Sequence, residues 1–352
     1  MAEILPADRM RISEARSLWA PAGVYCNTAS YGLPPRTAWE ALQSALGEWR
    51  GGSTSWEHWG QSTEAARTVF ARLLGVQTDR VAVGSTVSEL VGSVVTALPR
   101  GARVVVPDVE FTSTLFPLLV QQRLDVRAVP VAELVEAISE GVEAVAFSAV
   151  QMSTGEVADL DAILAASASV GALTLCDATQ ALGWLPLQAY RFDTVVCAAY
   201  KWLMSPRGSA FLAISDRLLE RAVPHSAGWY AGEDVHASYF GPPLRLASSA
   251  RRLDLSPAWF SWVGTQPALE LIEQIGVPAI HAHDVALANR FRAGIGLQPS
   301  GSAIVCAELP GAAERLQSAG IIAAVRGGRL RTSWHIYNDE NDVDQVLDVV
   351  SG

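Results

Sequence analysis

The sequence predicts an α/β protein: a large domain with a seven-stranded, mainly parallel sheet, followed by a small α+β C-terminal domain. Between residues 81 and 214, seven short and almost wholly apolar runs alternate with helical stretches. Strands of this kind are covered by helices on both faces, which is typical of parallel sheets. Residues 224–257 are irregular and rich in Gly, Pro, Trp and Tyr, so they separate the sheet from the later helices and strands.

The composition is that of a globular protein with a large core. The 352 residues suggest about two domains, half of them are apolar and 18% are charged. A net charge of −10 argues against a nucleic-acid partner and against an anionic membrane surface. No apolar run reaches the ~18 residues of a membrane span, and the four cysteines contain no CxxC motif. The sequence therefore predicts a soluble protein of the reducing cytoplasm.

Three parts of the chain are predicted from these patterns. Residues 1–20 have the pattern of a short helical segment that packs on the small domain, residues 21–257 form the large domain, and residues 258–352 form the small one. Within the large domain, one helix is predicted from Pro35 to Trp49. A second is predicted from about Ser62 to Leu74, ending at the C-cap Gly75.

The predicted strands follow these two helices. They are Val81–Val83, Arg103–Val106, Val126–Val129, Ala144–Val150, Leu173–Cys176, Thr194–Ala198 and Ala210–Ile214. Because the last two runs are close in sequence, one of them is expected to pair antiparallel. For the small domain the pattern predicts helices near Gln266–Ile275 and from Pro278, strands near Ile304–Glu308 and Leu330–Trp334, and a closing helix near Asn341–Val350.

Lys201 is the only lysine among the 26 Lys and Arg residues. It follows the apolar run Val195–Ala199, where a solvated charge is not expected. Arginine can replace lysine as a surface cation, but only an amine can lose its proton and form a Schiff base. A sole lysine at the end of a buried strand therefore indicates a chemical role; from the count alone, a chance surface lysine is the alternative.

Two other predicted strands also end in polar groups. Ser85 and Thr86 open a helix, where backbone N–H groups and the helix dipole suit a phosphate, although either residue could be only an N-cap. Asp177 ends a buried strand and needs a partner there, or else caps the next turn. Parallel sheets bind ligands at the carboxyl ends of their strands. A phosphate site, a carboxylate and a Schiff-base lysine at that edge fit one cofactor, pyridoxal phosphate.

Seven sequence pieces, in order, carry a family resemblance. They are Asn27-Thr28-Ala29-Ser30-x-Gly32, Gly84-Ser85-Thr86-x-x-Glu89, Asp108-x-Glu110-Phe111-x-Ser113, Asp177-Ala178-Thr179-Gln180-x-x-Gly183, Tyr200-Lys201-Trp202-Leu203-x-x-Pro206-Arg207-Gly208, Val263-Gly264-Thr265 and Arg331-x-Ser333-x-His335-x-Tyr337-Asn338. With them, almost the whole chain resembles the class V aminotransferase family of pyridoxal-phosphate enzymes of fold type I. The lysine motif looks most like the branch that contains isopenicillin N epimerases and C–S lyases.

The resemblance implies pyridoxal 5'-phosphate as the cofactor and roles for the residues around its ring. Lys201 would carry the cofactor as a Schiff base and then move the substrate proton. Asp177 would keep the pyridine nitrogen protonated, and Gln180 would bond the 3-oxygen of the ring. Phe111, at a position that is often His in cysteine desulfurases, would stack on the ring.

The resemblance also implies which residues bind the phosphate and the substrate. Ser85, Thr86 and Tyr200 would hold the phosphate, and Thr265 would reach the phosphate of a partner subunit, since these enzymes are usually homodimers with sites at the interface. Ala198 stands where Ser is common, so one phosphate bond must come from elsewhere. Arg331 would bind the α-carboxylate of an amino-acid-type substrate, with Asn27 beside it.

Trp56, Trp229 and Tyr230 lie in Gly-flanked segments that are predicted to be loops. Core packing is the default interpretation of any one such side chain. In the resembled family these segments line the substrate mouth, often from the neighbouring subunit, so the three residues are predicted to contact substrate. A wall of aromatic rings would suit a bulky or cyclic substrate.

The predicted function is removal of the Cα proton of an amino acid or an S-substituted cysteine bound to the cofactor, followed by C–S bond cleavage. Aminotransferase, epimerase and decarboxylating reactions are the alternatives, and a catalytically inactive binding module is a further one. A persulfide-forming desulfurase is not favoured. Its mobile cysteine loop would have to contain Cys306, which lies in a strand-like run.

Overall fold

The computed structural model describes residues 9–351 and has a seven-stranded sheet as its main feature. The order across the sheet is β1-β7-β6-β5-β4-β2-β3, and only β7 runs antiparallel to its neighbours. The strand bounds are β1 Val81–Gly84, β2 Arg103–Pro107, β3 Asp125–Val129, β4 Ala144–Ser148, β5 Leu173–Asp177, β6 Thr194–Ala198 and β7 Ala210–Ile214. The prediction of seven strands with one antiparallel member is confirmed.

Apolar sequence explains why these strands occupy the centre. Every residue of β1, β4, β5, β6 and β7 is buried, because helices cover both faces of the sheet. The edge strand β3 differs, since only Val129 is fully buried there. Coverage of all seven strands on both faces was therefore the wrong expectation for β3.

The helices of the first two thirds of the chain are α1 Ile12–Ala15, α2 Arg36–Gly51, α3 Trp56–Leu74, α4 Val87–Val95, α5 Thr112–Leu119, α6 Leu134–Ala137, α7 Leu160–Val170 and α8 Asp216–Leu219. Gly75 ends α3 in the left-handed conformation with φ 68, as predicted. However, α3 begins at Trp56, six residues before the predicted start. The segment of Trp56 and Trp59 is therefore the first turn of a helix, and its prediction as a loop was wrong.

The C-terminal third contains a three-stranded antiparallel sheet of order β8-β10-β9, with β8 Ile304–Ala307, β9 Ala324–Arg326 and β10 Arg329–Ser333. Its helices are α9 Trp259–Ile275, α10 Val277–Gly294, α11 Ala312–Ser318 and α12 Glu340–Ser351. The prediction missed β9 and α11, and α9 starts before the predicted Gln266. Pro267 lies inside α9, where the buried Trp262 and Leu269 stabilise a helix that loses one backbone hydrogen bond.

The N-terminal segment contacts elements of the C-terminal third. The Met10 N–H donates to Gln274 O at 3.1 Å, and Arg16 forms an ion pair with Asp339. Its helical part is limited to α1 and a 3₁₀ turn at Arg16–Leu18, and residues 1–8 of the predicted segment lie outside the described part. The division into domains at residues 20 and 257 stays a prediction. No helix in residues 9–351 is long and apolar enough to span a membrane.

Candidate active site

Lys201 lies in the loop that follows β6, and its side chain is only 5% exposed. It lines a cavity of about 680 Å³, the open mouth included, at the carboxyl ends of the strands. The structure brings seven predicted site residues to this cavity, namely Ser85, Thr86, Phe111, Asp177, Gln180, Tyr200 and Lys201. Three strands far apart in sequence thus deliver a hydroxyl pair, a carboxylate and an amine to one place.

Two motif glycines allow other loops to close on the lysine turn. The Gly32 N–H donates to Tyr200 O at 2.9 Å, and a Cβ on Gly32 would lie 1.9 Å from the Lys201 carbonyl oxygen. Gly183 has φ 108, and a Cβ there would lie 2.5 Å from the Trp202 carbonyl oxygen. Any other residue at either position would push the lysine turn out of place.

The Lys201 amine is set for reaction near neutral pH. Burial lowers its pKa to about 8; the charges of Arg331 and Arg326 act in the same direction, while Asp177 opposes them. Its Nζ lies 5.4 Å from the ring centroid of Phe111 and 5.8 Å from that of Tyr200. An appreciable fraction of the amine is therefore unprotonated at neutral pH, which is the state that forms a Schiff base.

This lowered pKa has a measurable consequence. We expect the rate of imine formation between the apoprotein and pyridoxal phosphate to rise with pH and to level off, with a midpoint near pH 8. Borohydride reduction at each pH, followed by peptide mapping, measures labelling at Lys201, and the single-lysine chain leaves only the N-terminus as a competing amine. Free Nα-acetyl-lysine, treated identically, is the control. A midpoint near the ordinary 10.5 would contradict the effect of burial.

Asp177 is the last residue of β5 and is 4% exposed. Its Oδ2 accepts a hydrogen bond from Thr114 Oγ1 at 2.8 Å, and its Oδ1 accepts one from the Thr179 N–H at 2.8 Å. Thr179 Oγ1 in turn accepts from the Ala198 N–H at 3.0 Å. These bonds fix the orientation of a buried carboxylate at the cavity wall. There it can accept a hydrogen bond from a protonated ring nitrogen.

Phe111 is held by a second buried carboxylate. Glu110 accepts hydrogen bonds from the Phe111 N–H at 2.8 Å and from the Ser148 N–H at 2.7 Å. Burial raises the pKa of Glu110. The Phe111 ring remains 37% exposed at the start of α5 and covers one side of the cavity near Nζ. Glu110 therefore positions the ring without facing the cavity itself.

The groups that could bind an anion lie at the end of the cavity next to β1. Thr86 is the N-cap of α4 and accepts from the Glu89 N–H, so the positive end of the helix dipole faces this region. Arg207 also lines the cavity, and its guanidinium carbon lies 4.9 Å from the Tyr200 ring centroid. Arg207 thus offers a cation where Ala198 lacks a hydroxyl. Arg207 is part of the lysine motif, but the motif by itself indicates no role for it.

Gln180 is fixed from both ends of its amide. Its Nε2 donates to Ala29 O at 2.9 Å, and its Oε1 accepts from Trp202 Nε1 at 2.8 Å. One N–H of the amide is left for a bond into the cavity. The Trp202 carbonyl is bonded by the buried His335 Nε2 at 3.0 Å, and His335 Nδ1 lies 2.7 Å from Asp284.

Arg331 is a buried cation of β10, 1% exposed. Its Nη1 donates to Met152 O at 2.9 Å and its Nη2 to Ser30 Oγ at 2.7 Å, while its Nε has no partner in the described chain. Burial lowers its pKa to about 10, and Arg326 contributes. Met152 lines the Lys201 cavity, so Arg331 lies one residue behind its wall. A buried guanidinium without a carboxylate suits an anionic ligand.

Besides Arg331, five predicted site residues do not line this cavity within the chain, and three of them are Thr265, Tyr230 and Asn27. Thr265 is fully buried in α9 of the single chain, and its hydroxyl is bonded to Ser261 O and Ser209 Oγ; its contact with the phosphate of a partner subunit stays a prediction. Tyr230 is 3% exposed and donates to Glu64 Oε1, so it is a core residue of the single chain; its contact with substrate stays a prediction. Asn27 pairs with Ser333 through a backbone bridge, and its buried Oδ1 has no hydrogen-bond partner among residues 9–351.

Trp56 and Trp229 form a separate aromatic cluster with Trp259, His236 and Tyr239. The Trp56 ring centroid lies 5.0 Å from that of Trp229 and 5.2 Å from that of His236. The cluster does not line the Lys201 cavity of its own chain, so the prediction fails for that cavity. Contact with the cavity of a second subunit stays a prediction.

The chain matches the family model described as Aminotransferase class-V over residues 36–313. The chain belongs to the class V aminotransferase family. Its cofactor is pyridoxal 5'-phosphate, and it is an enzyme of this family. The residues present fit that cofactor, because a lysine with a lowered pKa, an oriented buried carboxylate and a helix N-terminus with hydroxyls share one cavity.

Relatives at similar distance carry different names. The uncharacterized aminotransferase YcbU of Bacillus subtilis is 27% identical over 85% of this chain and 85% of its own. Kynureninase of Deinococcus radiodurans is 28% identical over 76% of this chain and 70% of its own. A probable cysteine desulfurase of Aeropyrum pernix is 27% identical over 76% of this chain and 70% of its own.

A solved structure confirms the fold. The apo cysteine desulfurase of Thermococcus onnurineus superposes with a TM-score of 0.81, covers 93% of both chains and is 19% identical. The prediction of fold type I is thereby confirmed.

Proposed function

We propose that the enzyme eliminates a thiol from the Cβ of an S-substituted L-cysteine and releases pyruvate and ammonia. The observation that carries this proposal is the buried Lys201 amine, with its pKa near 8, beside Asp177 in a cavity backed by Arg331. Bound pyridoxal phosphate supplies the electron sink that stabilises a carbanion at Cα. The relative named as a probable cysteine desulfurase supports chemistry at a C–S bond.

Each residue has a definable task in this reaction. The Arg331 guanidinium binds the α-carboxylate, and Lys201 Nζ takes the Cα proton. Asp177 accepts a hydrogen bond from the protonated pyridine nitrogen, while Phe111 and Tyr200 exclude water from Nζ. A cysteine thiol has an ordinary pKa of about 8.5, so the thiolate is a good leaving group that needs no second acid. One amine base is therefore enough for elimination.

Two features of the structure favour this function over an epimerase and a persulfide-forming desulfurase. Inversion at Cα is served best by bases on both faces of the substrate, whereas Lys201 is the one amine that lines the cavity in the described chain. Persulfide formation needs a cysteine that reaches the substrate. Cys306 lies within β8, paired with Arg331 in β10, so a strand and not a loop holds it.

An aminotransferase is the second candidate, because a relative named as an aminotransferase aligns over 85% of both chains. The deciding experiment incubates the holoenzyme with S-methyl-L-cysteine, with L-alanine and without substrate, and identifies the products by mass. Thiol, pyruvate and ammonia in equal amounts support the lyase. A keto acid that retains the S-methyl group, with the cofactor converted to its amine, would establish the aminotransferase instead. Deuterium uptake with inversion at Cα indicates an epimerase, and carbon dioxide release indicates a decarboxylase.

We also propose that the enzyme works as a homodimer, as its family resemblance implies. Large apolar side chains on α2 and α5 support this, since Trp39 is 54% and Phe116 is 59% exposed in the single chain. Light scattering on the pure protein tests the proposal, and a monomeric mass would contradict it.

A further inference from the structure

One face of the small sheet carries three arginines. In the register of β10 with β9, Arg329 lies opposite Arg326, and Arg331 lies opposite Ala324. Directly opposed residues of antiparallel strands share a face, as do residues two apart on one strand. Arg326, Arg329 and Arg331 therefore project from the same side of the sheet.

Two of these guanidinium groups meet at a single oxygen. Ser30 Oγ accepts from Arg331 Nη2 at 2.7 Å and from Arg326 Nη2 at 3.1 Å. A hydroxyl neutralises neither charge. Within residues 9–351 neither arginine forms a salt bridge, although the chain as a whole carries a net charge of −10. Other arginines are paired, such as Arg290 with Asp344 at 2.8 Å.

Arg331 connects this arginine pair to the wall of the active-site cavity. Arg331 bonds to Met152 O, and Met152 lines the cavity of Lys201. Both arginines lower the pKa of the Lys201 amine, so their charge is felt at Nζ. Two adjacent cations repel each other, and one carboxylate cancels only one of the two charges.

We propose that the substrate carries a second anionic group on its side chain, and that Arg326 binds this group while Arg331 binds the α-carboxylate. The inference rests on the proposed function insofar as Arg331 holds the α-carboxylate. A guanidinium group binds both carboxylates and phosphates through two parallel N–H···O bonds. Elimination from an S-carboxyalkyl cysteine is then the reaction that matches both the amine and the two arginines.

The test compares matched probes by their effect on the visible absorption of the holoenzyme, which reports binding and not turnover. The pair is S-carboxymethyl-L-cysteine and its neutral amide, S-carbamoylmethyl-L-cysteine. We expect the acid to bind about tenfold more tightly or better, as for a charge-assisted hydrogen bond. In Arg326→Gln the ratio should fall to about one, through loss of acid affinity with amide affinity kept. Arg326→Lys should retain part of the preference, and Arg290→Gln, which removes the same charge from α10, should retain all of it.

Three results would overturn the inference: equal binding of acid and amide by the wild type, a preference that survives in Arg326→Gln, or no spectral response to the acid at any concentration. O-phospho-L-serine against L-serine shows whether phosphate is accepted in place of carboxylate. Failure of the lyase proposal is distinguishable, because pyruvate and thiol would be absent while the acid preference persists.

Discussion

Replacement of Lys201 by alanine is expected to lower turnover of any amino-acid substrate by about 10²–10⁴-fold or more, since a positioned general base contributes at least this much. The amine is the only lysine nitrogen in the chain and the only amine lining the cavity in the described residues. Product formation under single-turnover conditions measures the effect. The variant should also lose the imine absorption band of the wild type. A variant that keeps both band and turnover would exclude the assigned role.

Lys201→Arg and Lys201→Met separate chemistry from folding. Arginine keeps the charge but neither deprotonates nor forms an imine, so Lys201→Arg should be as inactive as the alanine variant. The amine pKa is lowered from 10.5 to about 8 in the fold, so folding costs free energy at every pH below 8. The apoprotein of Lys201→Met should therefore be more stable at pH 7, by up to about 3 kcal/mol in the free energy of unfolding. This difference in stability should shrink between pH 8 and 10.5. Urea titrations of both proteins at several pH values measure it, and equal stability at pH 7 would contradict the lowered pKa.

Arg331→Ala is expected to reduce kcat/KM for amino-acid substrates by about 30-fold or more, mainly through KM, because removal of one partner of a buried charge pair costs about 2 kcal/mol or more. Arg331 is 1% exposed and has no carboxylate partner in residues 9–351. The mutation would therefore remove the cationic partner of the substrate carboxylate. Cofactor absorption should be unchanged. Steady-state kinetics with a spectrum of each preparation measures both effects.

Two variants are the controls for Arg331. Arg331→Lys keeps the charge without the two-pronged geometry and should recover part of the affinity. Arg290→Ala removes a paired arginine from α10 and should leave KM as in the wild type. Loss of the cofactor from Arg331→Ala would assign this arginine to the cofactor and not to the substrate.

The sequence alone located most of the fold and the chemical centre. Strands that are buried on both faces are continuous apolar runs, which are easy to recognise in a sequence. The predicted strand bounds therefore agree with the observed ones within two residues. Lys201 and Asp177 were found because each follows such a run, where a charged residue is conspicuous. Both line the cavity in the structure.

The failures share a cause, which is that packing overrode local signals. Trp56 starts a helix after a Gly-rich turn because its ring packs on Trp229 and Trp259. Pro267 lies inside α9 because burial of one helix face outweighs a lost hydrogen bond. Packing also gives the Thr265 hydroxyl its contacts with Ser209 and Ser261 of the same chain, which no motif could reveal.

The sequence by itself determined the family, the sheet and the identity of the amine and the carboxylate, since these depend on residue type and on burial along single strands. Only the tertiary structure decided the surroundings of that centre. Arg326 lies in a three-residue strand without an apolar pattern, and its meeting with Arg331 at Ser30 joins residues 296 and 301 positions apart from that serine. Such a juxtaposition is set by the pairing of β9 with β10 and by the loop that brings Ser30 to them. We expect Arg326 and Arg331, and not the residues of the lysine motif, to recognise the charge of the substrate.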